Sequence, residues 1–112
     1  MSSISTHVLD TALGRPAANV PVQLERNVDG VWFALGRGVT DADGRHRGLM
    51  AGAPLEVGLY RISFDVAAYH SAVGVDGFFP RATIEFLVRD AHMHHHVPLL
   101  LSPFGYSTYR GS

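Results

Sequence analysis

The sequence predicts an all-β protein, a two-sheet antiparallel sandwich of about seven or eight strands with one short helix. Two observations lead to this fold class: turn signals recur at short intervals, and the segments between them alternate apolar and polar residues. Strands punctuated so regularly are typical of a sandwich or barrel rather than of βαβ units. The turn signals occupy residues 13–16, 29–30, 41–44, 52–54, 76–77 and 102–105.

Three segments show the period-two alternation of half-buried strands. In each, apolar side chains occupy every second position, which places them together on one face of a strand. We expect these faces to form the core. The apolar sets are Val20, Val22 and Leu24; Tyr60, Ile62 and Phe64; and Ile84, Phe86 and Val88.

Residues 66–73 lack this alternation. Their alanines, with Asp65 in front of them, favour a short helix, although a loop remains an alternative. No linker or internal repeat interrupts the pattern, so we predict one domain over residues 1–112, which is a usual domain size.

Composition limits the classes of function. The absence of cysteine excludes disulfides and cysteine-ligated zinc sites. A net charge of -1 argues against nucleic-acid binding. The sequence has neither an apolar run long enough for a membrane span nor a signal-peptide pattern, so we predict a soluble, cytoplasmic protein with no membrane partner. A hydrophobic content of 46% against 17% charged residues favours an oligomer.

Candidate chemistry concentrates in three consecutive histidines near the end of the chain. If residues 94–101 form a strand, the alternation of its side chains places His95 on the core face and places His94 and His96 on the opposite face. Leu100 indicates that this opposite face is partly covered, as at a subunit interface. The alternative is an exposed strand whose histidines have no function. The apolar residues that mark the core face are Val97, Leu99 and Leu101.

A zinc or copper site is a second alternative for the histidine cluster. The nearby acids Glu85 and Asp90 lack a diagnostic ligand spacing, so we expect no functional metal.

The terminal residues 109–112 also stand out, because chain ends are usually polar and frayed. The tail either folds back into a pocket or completes a sheet as a last strand.

Several separated motifs resemble those of the transthyretin-like family. They occur in the family's order, the match covers roughly residues 4–112, and the final tetrapeptide is specific to the family's hydrolase branch. The motifs are residues 5–17 (STHVLDTALGRPA), 40–45 (TDADGR), 78–80 (FFP), 96–103 (HVPLLLSP) and 109–112 (YRGS).

The resemblance implies a transthyretin-like sandwich that assembles as a homotetramer, a dimer of dimers with active sites in a central channel. It implies hydrolysis of 5-hydroxyisourate to 2-oxo-4-hydroxy-4-carboxy-5-ureidoimidazoline in urate degradation, without a cofactor. The residues carried over by motif are His7, Arg45 and His96 as catalytic residues, with Tyr109, Arg110, Gly111 and Ser112 as substrate-binding residues.

These residue types suit hydrolysis of a cyclic amide. A histidine with an ordinary pKa of about 6.5 can take a proton from water at neutral pH, so we expect either His7 or His96 to activate the water. The planar guanidinium of Arg45 would stabilise the oxyanion. The alternative is a non-catalytic small-ligand carrier, which would have no need for this set of groups. Two positions depart from the family pattern: His95 replaces a common tyrosine, and His46 replaces a smaller residue.

Overall fold

The computed structural model describes residues 3–112, which form two β-sheets and one short helix. Residues 1 and 2, which the predicted domain includes, lie outside the described residues. The elements are β1 (Ile4–Asp10), β2 (Arg15–Pro16), β3 (Pro21–Val28), β4 (Val31–Val39), β5 (Arg45–His46), β6 (Gly58–Phe64), α1 (Val66–Ala72), β7 (Ala82–Val88), β8 (His95–Ser102) and β9 (Gly105–Thr108).

The first sheet has the strand order β2-β1-β8-β9, with β5 also paired to β1, and the second has the order β4-β3-β6-β7. This arrangement confirms the predicted two-sheet sandwich. One pair differs from the antiparallel expectation, because β1 and β8 run parallel. These strands come from opposite ends of the chain, so no hairpin turn fixes their relative direction. The two-residue strands β2 and β5 both pair with β1.

The core lies between the sheets and confirms most of the predicted alternation. The apolar sets of β3, β6 and β8 are buried, and each fully buried side chain contributes about 1.5–3 kcal/mol. In β7, by contrast, Ile84 and Phe86 are only partly buried and pack against the edge of the core. The buried side chains of these sets are Val20 (just before β3), Val22, Leu24, Tyr60, Ile62, Phe64, Val97, Leu99 and Leu101.

Helix α1 confirms the helix predicted after β6. The Asp65 side chain caps it by accepting a hydrogen bond from the backbone N–H of Ala68. The Tyr69 hydroxyl then donates to Asp10 Oδ2 over 2.6 Å, which ties the helix to β1. Burial, with this hydrogen bond, raises the pKa of Tyr69 to about 12, so the phenol stays a donor at all ordinary pH values. Within residues 3–112, no helix is long and apolar enough to cross a membrane.

Candidate active site

The parallel pairing of β1 with β8 brings two predicted chemical groups, the imidazoles of His7 and His96, to one face of the first sheet. In the register of this pair, Ser5 lies opposite His96 and His7 lies opposite Pro98. Ser5 and His7 are two residues apart and therefore point to the same side, away from the core residues Ile4 and Val8. The imidazole centroids of His7 and His96 are 6.5 Å apart. The structure thus brings together two of the histidines that the sequence singled out.

Arg45 joins this face through a tight turn and a short strand. Asp41 Oδ1 accepts hydrogen bonds from the backbone N–H groups of Asp43 and Arg45, which closes the turn. Gly44 occupies the left-handed region with φ 76°, and a Cβ there would come within 2.3 Å of the Val8 carbonyl oxygen. Only glycine fits this position. Residue 45 then pairs with His7 across β5 and β1, so the turn places Arg45 beside the histidines.

The charges around His96 favour its neutral form. Burial of the ring lowers the pKa of His96 below its ordinary value, and coulombic interaction with Arg45, His7, His94 and Arg47 lowers it further, in that order. An imidazole in this position is neutral at pH 7 and can accept a proton. Arg47, which is exposed after β5, was not among the residues that the sequence indicated.

Hydrogen bonds on the same face link His96 to residues that sequence reasoning left out. Ser5 Oγ lies 2.7 Å from His96 Nδ1 and 2.9 Å from His94 Nε2. Ser3 Oγ lies 2.6 Å from His94 Nδ1. The sequence did contain a signal for the serines, because Ser5 and His7 alternate along β1 and share one face, and Ser3 continues the same spacing just before the strand.

His95 lies on the other face of β8, as alternation predicted. Its side chain is 7% exposed, and its Nδ1 is 3.0 Å from the carbonyl oxygen of Met93. The histidine that departs from the family pattern therefore does not point toward His7 and Arg45. It lies beside β7, where it lines a cleft of about 320 Å³.

The C-terminal tail divides between these two places. Gly111 forms a bridge to His96: its N–H donates to the His96 carbonyl over 2.9 Å. A Cβ on Gly111 would come within 2.5 Å of His96 Cδ2, so this glycine lies directly against the imidazole. Tyr109 and Arg110 line the cleft that contains His95, and His96 also contributes to the lining of that cleft. Ser112 is exposed at the end of the tail.

The groups that face one another are imidazoles, a guanidinium and hydroxyls, which can move a proton and stabilise an anion. Among the described residues, no three His, Cys, Asp or Glu side chains converge closely enough to hold a metal ion.

Comparison with known proteins gives concordant matches. The model of the HIUase/Transthyretin family matches residues 4–111. A 5-hydroxyisourate hydrolase of Caulobacter vibrioides is 48% identical, with 100% of both chains covered. The structure of Klebsiella pneumoniae 5-hydroxyisourate hydrolase superimposes with a TM-score of 0.86 at 39% identity, covering 100% of both chains. Sea bream transthyretin in complex with thyroxine superimposes with a TM-score of 0.90 at 33% identity, covering 97% of this chain and 94% of that one.

Proposed function

Because this chain belongs to the HIUase/Transthyretin family, we propose that it hydrolyses 5-hydroxyisourate, and that His7, Arg45 and His96 carry the reaction. The product is 2-oxo-4-hydroxy-4-carboxy-5-ureidoimidazoline, which makes the protein an enzyme of urate degradation. The observation that carries the proposal is the convergence of these three side chains on one face of the first sheet.

His96 is the base that activates water. Its lowered pKa keeps the ring neutral, and the hydrogen bond between Ser5 and Nδ1 leaves Nε2 for the water. Water attacks the carbonyl carbon of the cyclic amide while its proton passes to Nε2. The C–N bond of the ring then breaks, and the nitrogen takes a proton as it leaves. His7, whose ring centroid lies 6.5 Å away, orients the water or the substrate.

Arg45 stabilises the negative charge that develops on the carbonyl oxygen. Its guanidinium is always charged and offers paired donors that fit the polar edge of a purine-derived ring. Gly111 contributes by allowing the tail to lie against His96. The substrate-binding roles of Tyr109, Arg110 and Ser112 stay predictions from the sequence, since Tyr109 and Arg110 line the cleft beside His95 in one chain.

The complete enzyme is a homotetramer. Strands β7 and β9 each end a sheet and present a free edge in one chain, which a second copy can extend. The outer face around His96 also carries Leu100, which is only half-buried in the isolated chain. A second pair of chains placed on this face would enclose the site. Light scattering after gel filtration tests the assembly, and a monomer at micromolar concentration would contradict it.

The predicted cytoplasmic location stays a prediction.

The test of the function follows freshly generated 5-hydroxyisourate by ultraviolet absorbance and circular dichroism. We expect the protein to cause rapid, stereospecific decay and the His96→Asn variant to lose this acceleration, because an amide does not take up the water proton. The matched control is His95→Asn, which alters a histidine on the other face of the same strand. Decay no faster than the spontaneous reaction would leave the alternative, a small-ligand carrier on this scaffold.

A further inference from the structure

We propose that Ser5 and His94 form a proton relay that serves His96, with both acting as positioning residues for the hydrolysis. The inference rests on the proposed function. It assigns a role to His94, the first of the three consecutive histidines, and to Ser5, to which the sequence analysis gave no role.

Three short contacts make the relay continuous. His96 Nδ1 and Ser5 Oγ are 2.7 Å apart, Ser5 Oγ and His94 Nε2 are 2.9 Å apart, and His94 Nδ1 and Ser3 Oγ are 2.6 Å apart. All three lie within hydrogen-bonding distance. The imidazole centroids of His94 and His96 are 6.5 Å apart, too far for a direct hydrogen bond, so the hydroxyl of Ser5 is the link.

The Ser5 hydroxyl has one proton and can donate it to only one of the two imidazoles at a time. Its orientation therefore couples the tautomer of His96 to that of His94. When Ser5 donates to His94 Nε2, it accepts from His96 Nδ1–H. The lone pair of His96 then lies on Nε2, where the water is. When Ser5 donates to His96 instead, the proton of His96 lies on Nε2 and the ring is not a base there. The relay therefore has one state that is competent for catalysis and one that is not.

Proton uptake by His96 converts the first state into the second. The water proton bonds to His96 Nε2, the Nδ1 proton passes to Ser5 Oγ, and the serine proton passes to His94 Nε2. His96 is neutral again with its proton on Nε2, Ser5 is unchanged, and His94 carries the positive charge. In the reverse movement a proton returns from His94 through Ser5 to His96 Nδ1 while the Nε2 proton passes to the departing ring nitrogen, which restores the free Nε2 for the next water.

Burial gives this path a direction. Ser5 is 4% exposed and His96 is half-buried, whereas His94 is exposed in one chain. Within one chain, charge moved from His96 to His94 therefore leaves a less solvated position near Arg45 and His7 for a better solvated one.

The first experiment measures kcat and KM of three variants against matched controls. Ser5→Ala removes the link, His94→Asn keeps a hydrogen-bonding side chain that takes up no proton, and His94→Ala opens the position to added imidazole. We expect kcat to fall about tenfold or more with KM nearly unchanged, and imidazole to restore His94→Ala. The controls are Ser63→Ala, on the second sheet, and His92→Ala, on the exposed loop before β8, which should keep wild-type rates and not respond to imidazole.

A second experiment needs no activity. Nitrogen-15 spectra of the histidine rings report the tautomer of His96, and we expect both Ser5→Ala and His94→Asn to change it. Wild-type kcat in His94→Asn, or an unchanged His96 tautomer in both variants, overturns the relay while the hydrolase function stands. An inactive wild-type protein overturns the proposed function, and the spectra still decide whether the three residues are coupled.

Discussion

The outer faces of the two sheets both carry arginine, but they use it in different ways. On the second sheet, Arg61 forms two hydrogen bonds with Glu25, of 2.8 and 3.1 Å, and its guanidinium lies 4.2 Å from the centre of the Trp32 ring. On the first sheet, Arg45 lies beside His7 and His96, and its positive charge helps to lower the pKa of His96. The second sheet has a cleft of about 520 Å³, and Arg61, one of the three arginines that line it, is already paired with Glu25.

This contrast shows why the volume of a cleft does not identify the site. A guanidinium held by a carboxylate has donors that are occupied, and its charge is neutralised locally. A guanidinium among imidazoles keeps its charge for a ligand and lowers the pKa of His96. A guanidinium that forms no salt bridge among the described residues, beside a group that can accept a proton, suits an amide hydrolase.

The strongest test of the comparison removes each arginine in turn. Arg45→Gln should reduce kcat/KM about a hundredfold, which corresponds to about 3 kcal/mol of lost transition-state stabilisation. Arg61→Gln, the same change on the other sheet, should leave the rate of 5-hydroxyisourate hydrolysis unchanged. Steady-state kinetics on both variants decide the matter. Equal losses, or a near-normal rate in Arg45→Gln, would remove Arg45 from the mechanism.

A smaller effect is expected from the glycine that lies against His96. Gly111→Ala places a methyl group where the His96 ring now lies, so the imidazole must shift, and we expect kcat/KM to fall about tenfold. Gly105→Ala is the control, because a Cβ there meets only Ser102 Oγ, at 3.8 Å. Similar rates in the two variants would show that the position of His96 does not depend on the tail.

The pH dependence sharpens the electrostatic part of the comparison. Because the pKa of His96 is lowered by burial and by Arg45, His7, His94 and Arg47, the base stays neutral below the ordinary histidine pKa. The rate should therefore rise with pH along a limb whose midpoint lies below about 6.5. Arg45→Gln removes one positive charge, which raises the pKa of His96 and moves the limb to higher pH. Rates measured from about pH 5 to 8 test this, and an unmoved limb would contradict it.

Much of this organisation could be predicted from the sequence, because period-two alternation fixes which side chains share a face. It separated His95 from His96 correctly, and it predicted the buried faces of β3 and β6. It did not fix which strands are neighbours. The parallel pairing of β1 with β8 joins residues about 90 positions apart, such as Ser5 and His96, and no local signal encodes that contact.

The tail was predicted as one unit and is divided in the structure. Thr108 pairs with Leu99 and Gly111 pairs with His96, so the antiparallel register is the same on both sides of Tyr109 and Arg110. These two residues then line the cleft beside His95, while Gly111 lies against the imidazole of His96. A sequence motif groups residues that occur together along the chain. Only the register of the tail against β8 shows which of these residues contact His96.

The smallest predicted effect concerns the stability provided by the second sheet. Arg61→Gln should lower Tm by a few degrees at most, because the ion pair with Glu25 is near the surface and water screens it. Glu25→Gln should cause a similar fall, and the double variant should fall by less than the sum, since either change removes the same contact. High salt should reduce the difference from wild type. Thermal melts at low and high salt measure these shifts, and additive losses would show that the two residues act separately. Arg61 stabilises the second sheet, whereas Arg45 on the first sheet is proposed to stabilise an anion. Replacing Arg61 by glutamine should therefore lower Tm, and replacing Arg45 by glutamine should lower kcat/KM.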